Sequence, residues 1–157
     1  MSLNILGSIA LNKDIPVNSS EKAYAIAKAK MFDHDAFSQW LGIEIMDLNA
    51  GKAVLRMTVR PEMTQGFGLA HGGITYSLAD SALAFASNAH GRKSVSIETS
   101  ISHLVAVKAG EILTATATEE SLSNKIGVYH IKITNQDGKL VALFKGTVYR
   151  TTQEWLD

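Results

Sequence analysis

Apolar positions along this chain recur with two different periods, and the change between them marks its elements. In "VNSSEKAYAIAKAKMFDHDAFSQWLG", residues 17–42, Ala, Lys and aromatic side chains return at helical spacing. Ser19 or Ser20 can cap the start of this helix and Gly42 its end, with a break expected near Asp33. "IEIMDLNAGKAVLRMTV" then predicts a hairpin turning at Asn49, Ala50 and Gly51, because Ala53, Leu55, Met57 and Val59 alternate with Val54, Arg56 and Thr58. Residues 72–89 are apolar or small almost throughout, which predicts a deeply buried helix. Beyond it the period falls to two. "RKSVSIETSISHLVAV", "EILTATATEESLS", "KIGVYHIKITN" and "GKLVALFKGTVYR" predict four strands, the third setting Tyr129, Ile131 and Ile133 against His130, Lys132 and Thr134. "NQDG" is a hairpin turn between the last two.

Strands segregated from helices predict an α+β fold with an antiparallel sheet rather than βαβ units. Such a sheet needs one face covered, and the 72–89 helix is the element apolar enough to cover it. The small residues Thr114, Ala115, Thr116 and Ala117 on one strand are expected to let that helix approach closely. The expected architecture is therefore a long central helix wrapped by an antiparallel sheet. The 157 residues suit a single substantial core, which we divide into an N-terminal tail and helix over 1–36 and the main domain over 37–152.

Charge and cysteine content narrow the function classes. Fifteen basic and fifteen acidic residues cancel, so no global field draws the chain to nucleic acid or to an anionic membrane. The absence of cysteine removes disulfides, thiolate metal sites and Cys nucleophiles, and fits a reducing compartment. The opening "MSLNILGSIALNKD" lacks a basic region, a long apolar stretch and a cleavage site, so it is expected to be a tail or docking segment of a cytoplasmic protein. No run reaches the ~20 apolar residues that span a bilayer.

Within 72–89 the single charge is Asp80. Two roles are open to it: a helix carboxylate that is solvated or paired with a cation, or a nucleophile or general base. The second is raised by cost, since a buried carboxylate that is neither paired nor used is unfavourable by several kcal/mol. Gly72 and Gly73 suit a helix start, where backbone N–H groups lack partners and glycine lets a ligand atom approach, an oxyanion hole in outline. They also suit a tight turn with no further role. Eight residues separate Gly72 from Asp80, ~12 Å along one helix, whereas reacting atoms meet at ~3–3.5 Å. If the two groups act together, a second copy running antiparallel must supply one of them, and the active unit is at least a dimer.

"HGGITYSLADSALAFASN" resembles the signature of the hot-dog-fold thioesterases, specifically the phenylacetate-degradation thioesterases. The similarity extends through "LGIEIMDLNAGKAVLRMTV", "GEILTATAT" and "GVYHIKITNQDGKLVALFKGT", roughly residues 37 to 150. The resemblance implies hydrolysis of an acyl-CoA thioester, with aryl-acyl groups such as phenylacetyl or hydroxyphenylacetyl as substrates. It implies homodimers joined edge to edge into one continuous sheet, associating further as tetramers. The family's carboxylate matches Asp80, and its oxyanion donor matches the Gly72 amide on the opposite subunit. Its second glycine matches Gly73, and the histidine before the pair matches His71, expected to orient the glycine turn and line the substrate site. The amide side chain seven residues before the first glycine, usually Asn in this branch, matches Gln65.

The chain departs from the pattern in several places. The related hydroxybenzoyl-CoA thioesterases carry Gln where Gln65 stands, but Glu at the position of Asp80 and a hydroxyl where this chain has Ala84. The "FLRP" common in the strand after the helix is "HLVA", residues 103–106. No metal and no organic cofactor are expected, coenzyme A entering as part of the substrate. Two alternatives are an enoyl-CoA hydratase or dehydratase on the same fold and a non-catalytic acyl-CoA binding module.

Other signals carry less. "GFGLAHGG" nearly matches a dinucleotide fingerprint, but His71 replaces its third glycine and strands follow rather than a βαβ unit. Asp33, His34 and Asp35 are expected on a solvated helix face rather than around a metal. Met31, Phe32, Phe37 and Trp40 are expected in core or dimer packing. Arg92, Lys93, Lys108 and Lys125 are surface cations that can also meet CoA phosphates.

Overall fold

The computed structural model describes residues 19–156, so the opening tail segment lies outside the described residues. The leading helical stretch is discontinuous. Helix α1 (Ser19–Tyr24) runs into a π-helical segment, Ala25–Met31, and a 3-10 turn, Phe32–His34, before α2 (Ala36–Leu41). The break falls where Asp33 predicts one. Asp35 starts the new helix as its N-cap, its Oδ1 accepting from Ser38 N at 2.9 Å and its Oδ2 from Ser38 Oγ at 2.6 Å. Gly42 ends α2 with φ 73°, the left-handed conformation favourable to glycine. Ala23, Ile26 and Ala27 are fully buried. Phe32 packs edge-on against Phe85 at 6.2 Å, whereas Phe37 and Trp40 remain 53% and 52% exposed and stack on each other at 6.0 Å.

Strands β1 (Glu44–Asn49) and β2 (Lys52–Thr58) form the expected hairpin, with Gly51 at φ 77° in its turn. The central helix α3 spans Gly72–Asn88, followed by β3 (Arg92–His103), β4 (Ile112–Leu122), β5 (Ile126–Thr134) and β6 (Leu140–Glu154). All six strands join one antiparallel sheet in the order β1-β2-β4-β5-β6-β3. In the β5–β6 turn the Asn135 side chain accepts from Asp137 N and Lys139 N, and Gly138 takes φ 74°.

One face of the sheet holds α3. Ala53, Leu55, Met57, Leu113, Ala115, Ala117, Tyr129, Ile131 and Ile133 are fully buried, with Leu78, Ala79, Ala82 and Ala86 of the helix. Burying each Leu or Ile contributes roughly 1.5–3 kcal/mol. Thr114 and Thr116 fall on the opposite face by strand alternation, so the alanines alone line the helix here. A second close approach is at Gly146 of β6, where an added Cβ would lie 2.4 Å from Leu83 Cδ2. β3 stops at His103 instead of continuing to 107, because the N–H groups of Leu104 and Val105 both turn to the Val141 carbonyl. Among the described residues β3 pairs only with β6, at the sheet's outer edge, and leaves Val95 and Ile97 56% and 57% exposed. Among the described residues no helix is long and apolar enough to cross a membrane.

Candidate active site

The start of α3 is built asymmetrically. His71 is its N-cap in extended backbone (φ −62°, ψ 134°), and its Nδ1 accepts the Gly73 N–H at 2.9 Å. The Gly72 N–H one position earlier has no partner among the described residues. It sits at the positive end of a 17-residue helix, where an unpaired N–H attracts negative charge. A cavity of about 260 Å³ opens there, lined by Gln65, Leu69, Gly72, Thr75 and His103. Gln65 is held by a tight turn: its N–H donates to Leu69 O at 2.7 Å, its carbonyl accepts from Gly68 N at 2.8 Å, and its Oε1 accepts from Phe67 N.

Two turns along the same helix Asp80 is half-buried in a separate hollow of about 50 Å³ with Ser87, Ser94, Ser96 and Val148. Burial raises its pKa above the ordinary 3.8, and no cation or hydrogen-bond donor among the described residues offsets this. Such a carboxylate is poorly solvated and unpaired, and therefore more basic than a surface one. His71 and Gly73 open instead onto a third hollow of about 350 Å³, walled by Phe37, Trp40, Ile74 and Ser77.

Within one chain, then, Gln65 and Gly72 come together, His71 and Gly73 share a neighbouring hollow, and Asp80 stands apart. Strand β3 links these places. His103 lies against Gly72, Thr99 Oγ1 is 2.6 Å from the Tyr76 hydroxyl, and Ser94 and Ser96 lie beside Asp80. The free edge strand thus runs antiparallel to α3, with the glycine end of the site at its C-terminus and the carboxylate end near its N-terminus.

Sequence reasoning passed over His103 and the serines around Asp80. The departure from "FLRP" at residue 103 was the available signal. Among the described residues no three His, Asp or Glu side chains converge to hold a metal ion.

Comparison with known proteins follows this geometry. Residues 67–142, which contain the glycine pair and Asp80, match the thioesterase superfamily. The chain is 43% identical to an acyl-coenzyme A thioesterase of Escherichia coli, PaaI, over 83% of its own length and 93% of the relative's. The structure of the E. coli PaaI protein, from a phenylacetic acid degradation operon, superposes with a TM-score of 0.85 at 40% identity, covering 87% of this chain and 99% of that one. A hypothetical thioesterase from Streptococcus pneumoniae, crystallised with coenzyme A, is similar at 28% identity and a TM-score of 0.69, over 71% of this chain and 90% of that one.

Proposed function

This chain belongs to the thioesterase superfamily and has its hot-dog fold, and from that premise we propose that it hydrolyses aryl-acyl-CoA thioesters such as phenylacetyl- or hydroxyphenylacetyl-CoA. The observation that carries this reading is the pairing of an unpartnered Gly72 amide, open to a cavity, with a lone half-buried carboxylate on the same helix. The amide supplies a hydrogen bond to the carbonyl oxygen as it gains charge, an effect usually worth ~10²–10³ in rate for one donor. Asp80 supplies the electron pair, either by adding to the carbonyl carbon or by drawing a proton from the water that adds. The C–S bond then breaks with its pair on sulfur, which takes up a proton to leave as CoA. Where water added, the free acid is formed at once; where Asp80 added, water then hydrolyses the resulting anhydride to release the acid and restore the carboxylate. No metal or organic cofactor enters this scheme.

Gly72 and Asp80 of one chain are too far apart to meet at one carbonyl. The reading therefore includes a homodimer, joined through the exposed edge of β3 and associating further as a tetramer. Antiparallel pairing of two β3 strands would place the carboxylate end of one chain by the glycine end of the other. Val95 and Ile97 on that edge are apolar surface such a pairing would cover. Gln65 and His71 complete the site, the first near the thioester carbonyl and the second as the cap that leaves Gly72 free. The neutral, cysteine-free composition suits a cytoplasmic enzyme.

The test is a panel of phenylacetyl-, hydroxyphenylacetyl-, benzoyl- and straight-chain acyl-CoA esters, followed by release of free thiol. Aryl-acetyl esters should exceed straight-chain esters by more than tenfold in kcat/KM, and equal rates would defeat the aryl assignment. CoA esters bound by the wild type but never hydrolysed would replace the enzyme with a binding module. Mixed dimers of Asp80→Asn and Gly72→Pro chains should regain activity, because one of their two composite sites is intact.

A further inference from the structure

His103 belongs to the glycine end of the site by geometry, although nothing in the signature of the helix points to it. It closes β3 one residue before the chain turns away, and its side chain lies at the start of α3. A Cβ added at Gly72 would stand 3.2 Å from His103 Nε2, with the next ring atoms at 3.5 and 3.9 Å. The tip of the imidazole therefore leads, and it leads towards the space a side chain at 72 would occupy. In a helix the Cα–Cβ bond tilts towards the N-terminus, the direction in which the unpaired N–H groups of the first turn also point. His103 makes no hydrogen bond or ion pair among the described residues, whereas the other histidine here, His71, is engaged by Gly73 N. His103 is exposed to the cavity that it shares with Gln65 and Gly72.

Resting on the thioesterase reading above, we propose that His103 is a catalytic residue, its Nε2–H forming with the Gly72 amide a two-donor site for the thioester carbonyl oxygen. The notch between the two donors is the space that glycine at 72 keeps open. The imidazole donates a hydrogen bond and keeps its proton: as the carbon–oxygen double bond opens and negative charge collects on oxygen, both donors shorten onto it, and they relax when the carbonyl re-forms and the thiolate leaves. Nδ1 remains the acceptor of the neutral ring, so the role needs no imidazolium.

Two measurements test this. In kinetics, His103→Ala should lower kcat about 10²-fold, as loss of one oxyanion donor does, with KM changed less than about threefold because the interaction strengthens only in the transition state. His103→Gln, whose Nε2 can occupy the place of the imidazole Nε2, should recover most of the loss. Retention of kcat within about threefold in a folded His103→Ala protein would overturn the proposal.

The second measurement needs no turnover. With a phenylacetyl-CoA ester bound to the Asp80→Asn variant, the infrared carbonyl stretch should lie below its value in water and move back up when His103→Ala is added. An unmoved stretch would also overturn the proposal. Because this signal is read on bound ester, the failure of His103 as a donor is distinguishable from the failure of the hydrolase reading, which would appear as a wild type inactive on the whole ester panel.

Discussion

The two ends of α3 use polar groups in opposite ways. At the C-terminal end the buried Asn88 is fully engaged: its Nδ2 donates to Ala84 O at 2.9 Å and Ser94 O at 3.1 Å, and its Oδ1 accepts from Ser94 N at 2.9 Å and Trp155 Nε1 at 2.7 Å. One side chain ties helix, following strand and C-terminal segment together. At the N-terminal end His71 satisfies the Gly73 amide, but the Gly72 amide and His103 have no partners among the described residues and face a cavity. A buried polar group such as Asn88 would cost folding free energy if left without partners, whereas groups facing an open cavity are solvated. The closed end therefore stabilises the fold, while the open end keeps donors available for a ligand. Asp80, between the two, belongs with the open end by the same criterion.

The sharpest way to break that contrast is Asp80→Asn, which should lower kcat at least ~10³-fold while raising Tm. The sign follows from burial. A carboxyl whose pKa is raised in the folded chain holds its proton more tightly there than when unfolded. Its stabilising contribution is full below the unfolded value, near 3.9, and is lost as pH rises through the raised folded value. At pH 7 the buried charge is a net cost that asparagine lacks, and each kcal/mol recovered should raise Tm by roughly 2–4 °C. A fall in Tm on this substitution would show that Asp80 is a structural residue. For the wild type, kcat/KM should drop on the acid side with a midpoint above the ordinary aspartate value of 3.8. Single turnover in ¹⁸O-water tests the nucleophilic role, since label appearing in the Asp80 carboxyl marks an anhydride that water opens at the Asp80 carbon.

Gly72→Pro comes next in size. Proline suits the first helical position, and the extended His71 before it is compatible with the ring, so the helix should form while its free N–H is deleted. The proline Cβ also enters the notch beside His103, so a loss of at least ~10²–10³ in kcat is expected with Tm little changed. Asn88→Ala should do the reverse: about 2–4 kcal/mol of stability lost in denaturant unfolding, from donors and acceptors left unpaired, with kcat preserved below the lowered Tm. His71→Ala should give the smallest effect, about 1 kcal/mol from the lost cap. A kcat loss there as large as that of Gly72→Pro would mean that His71 serves the substrate site directly, beyond capping the helix.

Much of this architecture is legible locally. The alternation of Tyr129, Ile131 and Ile133 is a period-two signal that a strand cannot hide, and the four strands and two hairpins follow from such signals. The glycine pair opening α3 and the lone Asp80 within it are equally visible, because helix starts and isolated charges are properties of neighbouring residues. Other features were not visible. Thr114 and Thr116 look as fit to face the helix as their alanine neighbours until the sheet assigns the faces. Asn88 reads as an ordinary helix end, yet its four partners come from α3, β3 and Trp155.

By itself the sequence determined most of the elements and the candidate carboxylate and amide, since those depend on contacts a few residues apart. Only the tertiary structure decided that His103, thirty-one positions beyond Gly72, returns to the start of the helix, and that Ser94 and Ser96 come to lie beside Asp80. Those outcomes depend on where β3 ends and which way it crosses α3. That crossing is set by the packing of the whole sheet around the helix, in which no short stretch of chain has a deciding share.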